Sequence, residues 1–200
     1  MVNLHSAGRT ARAQSPASMP HTVRRPGGHI ATGSCRRQRG GGVARPREPD
    51  GCRPGYEITP ADLAAAQAGQ RTPIGAGDVV LIRSGWGRLF DHEDRRLYLG
   101  QQSGVPGVGE AGAAWLADRG AHAVGADTIA FECLPPGSGH SSLPAHQVLL
   151  VERGVYIIEA MALEELAAEN VHEFTFLLAP LPLYGATGSP VRPLAVVSNG

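Results

Sequence analysis

The chain has no lysine: all 18 basic residues are Arg, set against 18 acids. It has no aromatic before residue 53, since every Phe, Trp and Tyr comes later. Residues 1–53 hold ten Arg against Glu48 and Asp50, a local charge of +8, and the remainder is −8. The neutral total therefore averages two unlike pieces. A segment without aromatics or a hydrophobic period has little with which to anchor a core. Two evenly folded halves are excluded, and a basic, disordered or aberrant segment over 1–53 followed by a folded domain over 54–200 is expected. A protease should trim such a chain to a product starting near residues 48–58. The Arg/Gly/Pro/Ala texture of the first segment is also what a GC-rich gene yields when read out of frame.

Other absences narrow the function. Three cysteines, Cys35, Cys52 and Cys133, form no C-x-x-C pair and no even disulfide framework, so free thiols are expected. No apolar run reaches the roughly 18 residues of a membrane span, and no apolar stretch near the N-terminus suits a secretory signal. A cytoplasmic protein with no membrane partner is the expectation. The segment RRQRGGG could touch phosphates, but it interleaves no aromatic and the remainder is acidic, so a nucleic-acid partner is not expected. The chain contains no G-x-S-x-G, no H-E-x-x-H and no glycine-rich phosphate loop opening a helix.

From residue 54 the texture changes. Thr59-Pro60-Ala61-Asp62 carries the signals of a helix start, with Ala/Leu-rich residues to about Gln67. Val79–Arg83 reads as a buried strand, 108–119 as a helix closed by Gly120, and Ala121–Asp127 as a strand ending in an acid. Ala145–Glu152 reads as helical, Val155–Glu159 as a strand ending in a carboxylate, and Leu163–Glu169 as a short helix. Glu173–Pro180 and Val191–Val197 close the pattern as strands. Strands alternating with helices indicate the α/β class.

Among groups able to polarise or attack a substrate, His146 and Glu159 stand out, thirteen residues apart. Imidazole and carboxylate are ordinary ligands for Zn²⁺ or Mn²⁺. On spacing alone such residues are more often a surface helix position and a solvated strand end, and the same holds for Asp127.

Five blocks in order add a resemblance: PGYEITPADL, GDVVLIRSGWGR, WLADRGAHAVGADT, LPAHQVLLVERGVYIIEAMALEEL and LPLYGATGSPVRPLAV. From about Pro54 to Val197 the chain resembles the cyclase family, the metal-dependent hydrolases that include kynurenine formamidase (arylformamidase) and isatin hydrolase. The resemblance implies a swivelling β/β/α-type fold, a homo-oligomer, and hydrolysis of small aryl or cyclic amides such as N-formylkynurenine, a reaction of tryptophan catabolism. It implies a divalent metal, Zn or Mn, that activates water. His146 matches the family's later His ligand, and Glu159 the Glu closing the strand after the Arg-x-Gly turn. The family's His-x-Gly-Thr-His-x-Asp-x-Pro motif, which belongs before Pro54, has no counterpart here. His5, His21 and His29 lack its spacing, and no catalytic proton-transfer residue is matched. The N-terminal part of the fold is thus expected to be missing or replaced, and the hydrolase impaired. The alternative expectation is a non-catalytic remnant serving as an oligomeric subunit.

Overall fold

The structure, a computed structural model, describes residues 51–197 together with the backbone of two short strands, Val2–Asn3 and Gly27–Thr32. Those strands are β1 and β2. Next come β3 (Glu57–Ile58), α1 (Pro60–Gln70), β4 (Val79–Arg83) and a 3₁₀ turn at Trp86–Leu89. The chain continues through α2 (Arg95–Leu99), β5 (Gly107–Val108), α3 (Glu110–Asp118) and β6 (Ala123–Ala126). α4 (Pro144–His146) runs directly into a π-helical segment, Gln147–Glu152, before β7 (Tyr156–Ile158). The last elements are α5 (Glu164–Ala168), β8 (Glu173–Leu177), β9 (Gly188–Ser189) and β10 (Leu194–Val196).

Eight strands form one mixed sheet in the order β10-β8-β2-β4-β6-β7-β1-β9, and β3 pairs with β5 in a separate ribbon. The centre is parallel: β2 with β4, β4 with β6, and β6 with β7. The edge pairings are antiparallel. Parallel strands are buried on both faces, and here alternate side chains serve two cores. Val80, Ile82, Val124 and Ile157 pack with Leu63, Leu116 and Leu149 on one face. Val79, Leu81, Ala123 and Ile158 pack with Met161, Leu163, Phe174 and Phe176 on the other. The α/β class read from the sequence is the observed one.

Local chemistry explains the elements that were anticipated. Thr59 caps α1 in a reciprocal box: its hydroxyl accepts from the Asp62 N–H, and Asp62 Oδ2 accepts from the Thr59 N–H at 2.9 Å. Other elements were not anticipated. β3, β5 and β9 are two-residue strands, too short to show a period. Residues Gly27–Thr32, within the segment expected to lie outside the domain, pair in parallel with β4 from Gly28↔Val79 to Thr32↔Arg83. Apart from Val2–Asn3 and residues 51–53, the rest of that segment lies outside the described residues, as do His5 and His21. Cys133 is a free thiol as expected, whereas Cys52 is disulfide-bonded, which corrects the free-thiol reading there. Among the described residues, no helix is long and apolar enough to cross a membrane.

Candidate metal and substrate site

The carboxyl ends of β6 and β7 lie side by side, with Gly125 opposite Ile158. In open α/β sheets the crevice beyond such strand ends is where ligands bind. Glu159 follows β7 directly. Its successor, Ala160, has φ 54°, and the Ala160 and Met161 N–H groups donate to Thr128 O (2.9 Å) and Ala126 O (3.0 Å). A left-handed conformation costs a residue with a side chain about 1–3 kcal/mol, which the clamp to the end of β6 holds in place.

His146 reaches the same crevice from the β6–β7 crossover, at the end of the turn begun by Pro144. The structure brings the two sequence candidates together: His146 Nε2 is 3.3 Å from Glu159 Oε1. The other ring nitrogen, Nδ1, is 2.9 Å from Glu132 Oε2. The same Glu132 carboxylate accepts from the Ala145 N–H at 2.9 Å and the His146 N–H at 3.3 Å. His146 therefore lies between two carboxylates. Side-chain exposure falls from 17% at Glu159 through 12% at His146 to 2% at Glu132. Burial disfavours the imidazolium, but hydrogen bonds to Glu132 and Glu159 and their charges outweigh it, raising the pKa to about 9.

Glu132 is the residue the sequence reading missed. It lies in an aperiodic stretch, Phe131-Glu132-Cys133-Leu134-Pro135, and no spacing rule links it to His146 fourteen residues later. Asp127 was weighed instead, and the structure gives it another task. Its carboxylate accepts from Ser84 N (2.9 Å), Ser84 Oγ (2.6 Å), Gly85 N (2.8 Å) and Gly87 N (3.2 Å). Gly85 adopts φ 81°, where a side chain is disfavoured, and so aims its N–H at Asp127. Asp127 ties the end of β6 to the loop after β4.

The donor pair fits an ion. Two ligand atoms each about 2.1 Å from a tetrahedral metal stand roughly 3.4 Å apart, close to the 3.3 Å between His146 Nε2 and Glu159 Oε1. Two donors do not complete a tetrahedral set. Among the described residues, no group of three or more His, Cys, Asp or Glu is arranged to hold an ion. Against His146 is a cavity of about 370 Å³, lined also by His140, Ser141, Leu143, Gln147, Leu150 and Val151. That is room for a small ring-bearing molecule.

The model of the Cyclase family matches residues 42–133, a span that includes Glu132 and stops short of His146 and Glu159. A solved novel cyclase is similar over 88% of this chain and 55% of its own, at 32% identity and TM-score 0.67. An isatin hydrolase bound to the product analogue thioisatinate is similar at 25% identity and TM-score 0.62, over 74% of this chain and 55% of its own. Isatin hydrolase A from Ralstonia solanacearum is similar at 26% identity and TM-score 0.58, over 72% and 54%. No curated protein matches the chain. The chain spans about half the length of these solved relatives. With the family model and the solved cyclase in agreement, the chain belongs to the cyclase family.

Proposed function

We propose that the described domain carries one part of the metal site of a cyclase-family amide hydrolase, arylformamidase-like in its choice of small aryl or cyclic amides. The observation that carries this reading is the 3.3 Å approach of His146 Nε2 to Glu159 Oε1, His146 also lining a cavity of small-molecule size. His146 and Glu159 would hold a divalent ion, Zn or Mn, which when bound polarises a carbonyl and acidifies water. The lining from Leu143 and Leu150 supplies apolar contact for a ring, and Ser141 and Gln147 supply polar groups for an amide.

Amide hydrolysis also needs further ligands and a group to move a proton, and the sequence lacks the His-x-Gly-Thr-His-x-Asp stretch that would bring them. The 200-residue chain alone should therefore show no measurable hydrolysis of N-formylkynurenine with added Zn²⁺ or Mn²⁺. Adding a segment with that motif in register before Pro54 should bring activity, and His146→Ala or Glu159→Ala should abolish it again. Ordinary activity of the chain as it stands, unchanged by either substitution, would overturn the reading.

A second reading, a non-catalytic oligomeric subunit, has its own support. Leu177, Leu194 and Val196 are exposed on β8 and the edge strand β10, and Leu181, Leu183 and Tyr184 are exposed between them. Apolar surface beside an open sheet edge suits a second copy of the chain. A monomer in sedimentation at micromolar concentration would remove that support.

A further inference from the structure

We propose that Glu132 is a positioning residue: it fixes the ring of His146 so that Nδ1 carries the proton and Nε2 is presented toward Glu159. The inference rests on the reading of His146 and Glu159 as an ion-holding pair, but its geometry stands apart from that reading. One oxygen of Glu132, Oε2, takes both the backbone N–H of His146 and its ring Nδ1, while Oε1 takes the Ala145 N–H. Anchoring a ring and its own backbone to one atom removes the freedom of both side-chain torsions. An ionised carboxylate only accepts, so the facing nitrogen must be N–H, and in the neutral ring the lone pair then lies on Nε2. Carboxylates behind metal-bound histidines act in this way, orienting the ring and raising its basicity.

The backbone around Glu132 is shaped for this placement. Phe131, fully buried, adopts φ 56°, and the Glu132 N–H donates to Ala130 O across it in a tight three-residue turn. Val108 N donates to Phe131 O at 3.0 Å, and Cys133 N donates to Val108 O at 3.2 Å, which stitches the turn to β5. A Cβ at Gly107 would collide with the Glu132 carbonyl, so β5 can approach only with glycine there. Left-handed residues thus flank both carboxylates of the cluster, Phe131 before Glu132 and Ala160 after Glu159. Strain of that kind persists where the surrounding structure over-determines a geometry. Glu132 holds no place among the proposed ligands, because its oxygens are already committed to three donors.

The test is ring-nitrogen NMR on the metal-free chain with ¹⁵N-labelled histidine at a pH of about 10, above the value near 9 at which the ring becomes neutral, followed by Co²⁺ titration. In the unsubstituted chain and in Glu159→Gln, the His146 proton should then lie on Nδ1, protected from exchange, and Nε2 should carry none. In Glu132→Leu, which removes the acceptor, that protection should be lost, and any Co²⁺ affinity should fall about 10–100-fold. A freely exchanging or absent Nδ1 proton in the unsubstituted chain overturns the proposal without needing a variant, which covers the case in which Glu132→Leu does not fold. A protected proton that survives Glu132→Leu overturns it too. If the unsubstituted chain binds no Co²⁺, the ion-holding reading fails while the Nδ1 signal still decides the role of Glu132.

Discussion

Two carboxylates end neighbouring parallel strands, Asp127 after β6 and Glu159 after β7, and they could hardly be used more differently. Asp127 is 1% exposed and accepts four hydrogen bonds from the Ser84–Gly87 loop. Glu159 is partly open to solvent, with Oε1 3.3 Å from His146 Nε2. A carboxylate saturated by backbone donors is committed to holding the fold. One partly open to solvent beside a histidine suits the ion-holding role proposed for Glu159. The contrast shows that a strand-end acid is assigned by counting its donors, which sequence position does not disclose.

The contrast can be broken most directly at Asp127. Asp127→Ala removes the acceptor of four donors and leaves several of them buried, so a loss of about 3–5 kcal/mol in unfolding free energy is expected by urea denaturation. Glu159→Gln should cost clearly less, because it alters a single contact, with His146, and keeps an amide oxygen able to accept there. Equal losses for the two would erase the distinction.

A smaller effect tests the environment around Glu132. Burial, helped by the charges of Glu57 and Glu132, raises the neighbouring Cys133 thiol to about 11. A raised thiol pKa means less thiolate at any pH below it. Alkylation of Cys133 at pH 8, followed by mass spectrometry, should run about a hundredfold slower than in the unfolded chain, and rise until the pH nears 11. Labelling as fast as in the unfolded chain would show the loop behind His146 to be open. The smallest expected change is at Ala160, whose φ of 54° suits glycine. Ala160→Gly should stabilise the chain by about 0.5–1 kcal/mol in thermal unfolding, since relief of strain exceeds the added flexibility of the unfolded state.

Legibility in the sequence followed the range of the interactions. The α1 start was readable because Thr59, Pro60 and Asp62 act within one turn. β4, β6 and β7 were readable from apolar runs, and His146 with Glu159 from residue type and resemblance. Glu132 was hidden because its partners are fourteen residues away, across a loop shaped by a buried Phe131 and a glycine on β5. β2 was hidden for a related reason: Gly27-Gly28-His29-Ile30-Ala31-Thr32 has weak strand character, and its place between β4 and β8 depends on non-local pairing. The Gln147–Glu152 segment was read as an ordinary helix. Its π form, with the Arg153 N–H donating to Val148 O, lies beyond what a 3.6-residue period can signal.

The most direct test of the central claim is calorimetric titration of Zn²⁺ into the chain, alone and as Glu159→Gln and His146→Ala. The account predicts about one weakly held ion per chain, because two donors leave the set incomplete, and loss of that binding in either variant while their folds persist. Binding that survives both substitutions, or no binding by the unsubstituted chain, would contradict it.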